Sequence, residues 1–142
     1  MREGTALAFD FGERRIGVAV GESLLGIAHP LVTIDSNVND ERFAIISQLI
    51  DEWHPTDLVV GLPMHGDGTE HAMTQLARRF ANRLKGRYRL PVWLVDERLT
   101  SVEAEAMLNE VGLRGRKQKP ALDQVAAQAI LTTWFEAPGT AV

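Results

Sequence analysis

The chain has 142 residues, a length that fits one domain with a substantial buried core. Its net charge is −4 and it contains no cysteine, which excludes disulfides, zinc–thiolate sites and thiol catalysis. No apolar stretch approaches the roughly 20 residues of a membrane-spanning helix, and the N-terminus lacks the basic-then-apolar pattern of a signal peptide. We therefore expect one domain over residues 1–142 and a cytoplasmic location.

The first part of the chain predicts three strands and then a helix. Three apolar segments have the length and composition of strands: residues 5–11, 16–21 and 27–34. Pro30 favours an edge position or a bulge for the third of them. Asn39-Asp40 is a helix-capping pattern, and apolar residues at helical spacing predict a helix over roughly 40–53, which Pro55 ends.

The second part of the chain alternates strands with helices. The predicted segments are a strand at 57–63, a helix near 69–85, a strand at 91–96, a helix from Thr100 or Ser101 to about Glu110, and a last helix from Pro120 to about Phe135. This alternation predicts parallel strands joined by right-handed crossovers. The expected fold is α/β, with a mixed five-stranded sheet (three antiparallel strands, then parallel strands) and helices on both faces.

Three acids stand where a charge is costly to bury. Asp10 ends the apolar run of the first strand, Glu97 follows that of the fifth, and Asp123 opens the last helix. Ligands gather at the carboxyl ends of the strands in such sheets, so Asp10 and Glu97 would converge if their strands are near neighbours. The last helix would then bring Asp123 beside them.

A divalent cation would offset the cost of this convergence. Mg²⁺ and Mn²⁺ favour oxygen ligands, so we expect Asp10, Glu97 and Asp123 to be both metal ligands and catalytic residues. Asp10 is the best candidate to bridge the ions of a two-metal site. Without metal, clustering should raise the pKa of at least one of the three acids.

Each acid also has a structural interpretation. Asp10 could accept hydrogen bonds from backbone N–H groups in a turn. Glu97 could pair with Arg98 or Arg15, and Asp123 could stabilise the helix dipole.

Other polar residues near the acids are interpreted as structural. Asp96 would point to the opposite face of the strand from Glu97 if the strand continues. His65 and His71 flank the Gly66-Asp67-Gly68 loop and are interpreted as exposed loop residues, although contact with a substrate is the alternative.

Basic residues form two local clusters despite the negative net charge. The first runs from Arg78 to Arg89 and the second from Arg114 to Lys119, and either alone is as consistent with a solvated surface as with nucleic-acid contacts. The second directly precedes Asp123, and we expect residues 112–119 to form a mobile loop that clamps a phosphate backbone. The expected nucleic-acid-binding residues are Arg14, Arg15, Arg114, Arg116, Lys117 and Lys119.

Four motifs occur in order along residues 6–135. They are Phe9-Asp10-Phe11-Gly12 with Arg14-Arg15-Ile16-Gly17-Val18-Ala19; Gly61-Leu62-Pro63 with Gly66-Asp67-Gly68; Asp96-Glu97-Arg98-Leu99-Thr100-Ser101; and Asp123-Gln124-Val125-Ala126-Ala127 with Ile130-Leu131. In this order and at these spacings they resemble the YqgF/RuvX family, whose members are described as Holliday junction resolvases and as pre-16S rRNA nucleases. The resemblance implies a ribonuclease H-like fold and a nuclease that acts on structured nucleic acid.

Three functions compete at this point. The preferred one is a two-metal phosphodiesterase that processes the 5′ end of precursor 16S rRNA in ribosome biogenesis, or cleaves Holliday junctions in DNA recombination and repair. The second is a noncatalytic nucleic-acid-binding factor in transcription or ribosome assembly. The third, an actin-like ATPase, is disfavoured because such enzymes need two domains of this kind and the chain lacks a Walker loop. The choice between RNA and DNA, a role for precursor ribosomal particles as partners and the oligomeric state all stay open.

Overall fold

The computed structural model describes residues 3–98 and 118–142, with side chains from residue 122 onward in the second range. The elements in chain order are β1 (Thr5–Phe11), β2 (Arg15–Glu22), β3 (Ile27–Asp35), α1 (Asn39–Trp53), β4 (Asp57–Leu62), α2 (Ala72–Tyr88), β5 (Val92–Asp96), α3 (Gln118–Glu136) and β6 (Thr140–Ala141). Several predictions fall outside the described parts: the helix from Thr100 or Ser101 to Glu110, the residues Arg114, Arg116 and Lys117, and the side chain of Lys119.

The strands form one mixed sheet in the order β3-β2-β1-β4-β5-β6. The first three strands pair antiparallel, whereas β1 with β4 and β4 with β5 pair parallel. This confirms the predicted α/β class and the change from antiparallel to parallel pairing. The prediction of five strands was one short, because Thr140–Ala141 adds an antiparallel β6 on the outer edge of β5. Two residues are too few to show a strand pattern.

The two faces of the sheet carry different helices. On one face, Leu7 and Phe9 of β1 lie in a core with residues of α1 and α2. On the other face, Ala6 and Ala8 pack with residues of α3. Because successive side chains of a strand alternate between faces, Asp10 points to the α3 side and Phe11 to the side of α1 and α2.

The close approach of α3 to the sheet depends on Gly17 of β2. A Cβ atom at Gly17 would lie 1.9 Å from the carbonyl oxygen of Asp123, so no other residue fits there without moving the helix. Gly17 is also the cross-strand partner of Asp10. The same contact therefore sets the start of α3 against the end of β1.

The details of the elements agree with the prediction at Pro30 and differ from it at the starts of two helices. The predicted edge position and bulge at Pro30 are confirmed, since β3 is an edge strand and its register with β2 shifts between Val18 and Ala19. The predicted cap at Asn39-Asp40 was wrong, because Val38 is the N-cap of α1 and it makes no side-chain capping bond.

The start of α2 lies three residues later than predicted. His71 Nδ1 accepts from the N–H of Met73 at 3.2 Å, and Thr74 Oγ1 accepts from the N–H of His71 at 3.0 Å. This reciprocal cap places the first helical residue at Ala72 and gives His71 a structural role. Among the described helices, none combines the length and the apolar character needed to cross a membrane.

Candidate acid site

Asp10 and Glu97 form a hydrogen-bonded pair at the carboxyl ends of β1 and β5. Glu97 is only 8% exposed, although it follows the last residue of its strand. Its backbone N–H donates to the carbonyl of Leu62 at 3.2 Å, which keeps it in line with the end of β4. Of the three acids of the expected site, the fold brings Asp10 and Glu97 into direct contact.

The pair meets across an intervening strand. The sequence predicted that the two acids converge if their strands are near neighbours, and in the structure one strand, β4, lies between β1 and β5. The contact is possible because the residue of β4 at this level is Gly61. A Cβ atom there would lie 2.7 Å from both Cγ and Cδ of Glu97. Glycine leaves the space through which the Glu97 side chain crosses to Asp10.

This crossing predicts a specific effect of Gly61→Ala. The added methyl would also lie 2.4 Å from Cδ1 of Ile130, so both neighbours must shift. We expect a loss of about 1–3 kcal/mol in the free energy of unfolding, the usual cost of overpacking, together with displacement of the Glu97 carboxyl. The measurement is chemical denaturation, combined with a titration of Glu97 by NMR.

Gly66→Ala is the matched control, because a Cβ atom at Gly66 meets nothing within 4 Å. It should leave both the stability and the titration of Glu97 unchanged. A Gly61→Ala protein that matches wild type in both measurements would contradict the crossing geometry.

The acid pair shares a proton in the absence of metal. Burial is the largest cause that raises the pKa of Glu97 to about 10, and the charge of Asp10 and the hydrogen bond to it add to the effect. Burial also raises the pKa of Asp10, the hydrogen bond from Glu97 opposes this rise, and the charge of Asp123 supports it. At neutral pH, Glu97 is therefore the protonated donor and Asp10 the acceptor. The predicted rise in the pKa of at least one of the three acids is confirmed, although burial is its largest cause and the neighbouring acid adds to it at Glu97.

Asp123 lies near the pair but has another partner. Its charge contributes to the raised pKa of Asp10, whereas its Oδ2 accepts from Arg15 Nε at 2.7 Å. The sequence left open a pairing of Arg15 with Glu97, and the structure pairs Arg15 with Asp123 instead. Within residues 3–98 and 118–142, no three acidic or histidine side chains lie close enough together to hold a metal ion.

The other polar residues near the site have structural partners. Asp96 accepts from the backbone N–H of Arg98 at 2.9 Å and pairs with its guanidinium at 2.6 Å, in agreement with its structural interpretation. The ion pair that Arg98 forms is therefore with Asp96. Arg14 stands in the turn between β1 and β2, and it lines a cavity on the other face of the sheet.

The sequence indicates that Gly17 allows close backbone approach and that Gly61 belongs to a turn that shapes the backbone, but it did not link either glycine to the acid site. A glycine inside an apolar strand often marks a close approach of another chain segment, and this was the available signal. It does not tell which segment approaches, because the helix start and the Glu97 side chain are distant in sequence.

Comparison with solved structures supports the fold seen here. The chain superposes on "T. thermophilus RuvC in complex with Holliday junction substrate" with a TM-score of 0.61 and 17% identity, over 97% of this chain and 98% of that one. A second structure, "Thermus thermophilus RuvC structure", gives a TM-score of 0.55 and 16% identity, over 96% and 98% of the two chains. The molecule therefore has an α/β fold of the ribonuclease H-like type.

Sequence comparison shows the family. Residues 4–137 match the model of the family described as "RuvX: Holliday junction resolvase". A protein of Chromobacterium violaceum named "Putative pre-16S rRNA nuclease" is 73% identical over 137 residues, which cover 96% of this chain and all of that protein. A protein of Neisseria gonorrhoeae with the same name is 60% identical over 134 residues, which cover 94% and 89% of the two chains. The chain belongs to the RuvX family, which confirms the resemblance found in its motifs.

Proposed function

We propose that the protein is a metal-dependent endonuclease that hydrolyses phosphodiester bonds in structured nucleic acid. The substrate we assign is the 5′ end of precursor 16S rRNA, processed during ribosome biogenesis. The observation that carries the proposal is the hydrogen-bonded pair of Asp10 and Glu97, buried at the carboxyl ends of two strands. The names of the relatives from Chromobacterium and Neisseria support the choice of substrate.

The donor set suits Mg²⁺ or Mn²⁺. Two carboxyls that must share a proton when they meet in a buried place are stabilised when a hard cation replaces that proton. In the two-metal site that we propose, Asp10 and Glu97 would be ligands. When bound, the cations supply Lewis-acid stabilisation of the charge that develops on the phosphate oxygens.

Arg15 would control the third ligand. The guanidinium now neutralises Asp123 beside Asp10. Arginine binds phosphate as well as carboxylate, so an incoming phosphate could take over Arg15 and free Asp123 to join the other two acids. In this proposal the complete site forms only when substrate is present, since Asp123 is held elsewhere without it.

Holliday junction cleavage in DNA recombination and repair is the second candidate. It is favoured by the family description and by the likeness to RuvC, a protein whose structure was solved with a Holliday junction. Symmetric cleavage of a junction requires two matched sites and therefore a dimer, whereas trimming of one RNA strand does not. The third candidate, a noncatalytic binding factor, would bind nucleic acid but would not cleave it.

A cleavage assay on two substrates separates the three candidates. A precursor 16S rRNA fragment and a four-way DNA junction, both end-labelled, are incubated with the protein in Mg²⁺ or in EDTA. We expect cleavage at the 5′ side of the precursor in Mg²⁺ and none in EDTA. Paired cuts in the junction with an intact precursor would favour the resolvase. Binding to either substrate without cleavage in Mg²⁺ or Mn²⁺ would favour the binding factor.

A further inference from the structure

A basic cavity lies on the opposite face of the sheet from the acid pair. Its volume is about 450 Å³, and it is bounded by the end of β1, the start of α1 and the exposed side of α2. Phe11, Leu76 and Phe80 supply apolar surface inside it. Its cationic residues are Arg14, Arg42, Arg79 and Arg83.

Three of these arginines are available to a ligand. Arg14, Arg79 and Arg83 are exposed, and in the described part of the chain none of them has an ion pair or hydrogen bond. Arg79 and Arg83 are four residues apart on α2, so they lie on the same side of the helix. Arg78, the residue before Arg79, is already paired with Glu70 at 2.8 Å.

Arg42 builds the wall of the cavity. It is 4% exposed, and it donates to the carbonyls of Gly12 at 2.7 Å and Glu13 at 2.5 Å. Its guanidinium also lies 5.4 Å from the centre of the Phe11 ring. These contacts hold the turn after β1 in place with a buried positive charge, and among the described residues that line the cavity Glu13 is the one acid.

The turn held by Arg42 connects the cavity with the acid site. Asp10 faces α3 and Phe11 faces α2, so the two sites lie on either side of the same strand end. Gly12, Glu13 and Arg14 pass between them. A chain that crosses this end of the sheet near Asp10 therefore reaches the arginines next.

We propose that the cavity binds a backbone phosphate of the same nucleic-acid strand that is presented to Asp10 and Glu97, a contact that rests on the proposed nuclease function. A guanidinium group can donate two parallel hydrogen bonds to the oxygens of one phosphate. Such contacts position a nucleic acid without reading its sequence. The apolar surface of Phe11 and Leu76 would lie under the sugar or base beside that phosphate. The cavity thereby fixes where along the strand the acid site acts.

The test is binding without cleavage. The probes are a fluorescein-labelled stem–loop RNA and a labelled four-way DNA junction, titrated in EDTA by fluorescence anisotropy at several salt concentrations. We expect Arg79→Ala/Arg83→Ala to weaken binding roughly tenfold or more and to reduce the slope of log affinity against log salt by up to about 2, the effect of two lost phosphate contacts. Arg14 is left intact because it also borders a pocket that contains Asp35 and Glu41.

The control is Arg78→Ala/Arg87→Ala, which removes the same charge from the same helix. Arg78 is paired with Glu70, and Arg87 stacks 4.1 Å above the Phe43 ring, so both act elsewhere. Equal losses of binding affinity in the two double variants would overturn the proposed phosphate contact, because the loss of positive charge on the helix would then explain the effect. Thermal denaturation of each variant confirms that the comparison is made on folded protein.

Two further outcomes separate this inference from the proposed nuclease. If wild type cleaves nothing but the two double variants still differ in binding, the cavity stands and the nuclease does not. If wild type cleaves RNA and the Arg79/Arg83 variant binds normally, the cavity is overturned and the nuclease stands. Micromolar binding of a free nucleoside 5′-monophosphate, lost in that variant, would assign the cavity to a free nucleotide and overturn the strand contact.

Discussion

Asp10→Asn is expected to abolish cleavage while the protein stays folded and still binds nucleic acid. The change replaces one oxygen by an amide nitrogen, which is a poor ligand for Mg²⁺, at the residue best placed to hold it. A fall in rate of about a thousandfold or more is expected, equivalent to roughly 4 kcal/mol of lost transition-state stabilisation. The measurement is single-turnover cleavage of the substrate that wild type cuts, with binding measured in parallel.

Asp96→Asn is the matched control for this variant. It makes the same chemical change at an acid near the site, but Asp96 is exposed and bound to Arg98. Its cleavage rate should stay near that of wild type. Wild-type cleavage by Asp10→Asn would remove Asp10 from the site, and equal losses in both variants would point to general charge near the site instead of a ligand.

Stability should change in the opposite direction from activity. The amide at position 10 removes a charge that burial and Asp123 both disfavour. In EDTA, Asp10→Asn is therefore expected to unfold at the same temperature as wild type or at a higher one. Because the variant is folded but inactive, it should fail to rescue a cell that lacks the wild-type protein.

The strands that carry the acids were predictable from sequence. The bounds of β1 match the predicted residues 5–11 in full, and β5 differs from its prediction only at Pro91. Each run is largely apolar on both faces and stops at acidic residues, Asp10 in β1 and Asp96 with Glu97 at the end of β5, which is a strong signal for a buried strand end. The meeting of Asp10 with Glu97 followed from this placement at the carboxyl ends of the sheet.

The contacts that complete the site could not be predicted in the same way. They depend on how far a side chain reaches across another strand, as Glu97 does over Gly61. They also depend on which of several acids a long arginine selects, as Arg15 does with Asp123. A pattern of strands and helices fixes neither the distance between two side chains nor the partner that each one selects. For the same reason the basic cavity beside Phe11 could not be predicted from the sequence.

The second large effect concerns pH, and it follows from the raised pKa of Glu97. The carboxyl has its ordinary value near 4.5 in the unfolded chain and a value of about 10 in the folded protein without metal. Between these limits the folded state binds more protons than the unfolded state, so the free energy of unfolding falls as pH rises. One such group contributes a slope of at most about 1.4 kcal/mol per pH unit.

Glu97→Gln isolates this contribution. The amide resembles the protonated carboxyl and can still donate to Asp10, so the variant should match wild type near pH 4 and exceed it by at least about 1 kcal/mol near pH 8 in EDTA. Asp96→Asn is the control, because the Arg98 side chain lowers the pKa of Asp96 from its ordinary value of 3.8, so the stability that this carboxyl contributes is lost only at lower pH and the difference between this variant and wild type should stay constant from pH 5 to pH 8. The measurement is denaturant unfolding at each pH.

Magnesium should reverse the difference between wild type and Glu97→Gln. In the proposed site the cation replaces the shared proton, so adding Mg²⁺ near pH 8 should raise the stability of wild type and have little effect on the variant. A wild type whose stability neither falls with pH nor responds to Mg²⁺ would contradict both the shared proton and the proposed metal ligands. A fall with pH that Mg²⁺ does not offset, either in the free protein or with nucleic acid bound, would leave the acid pair intact but remove the metal, and the binding factor would then be the better account of the protein.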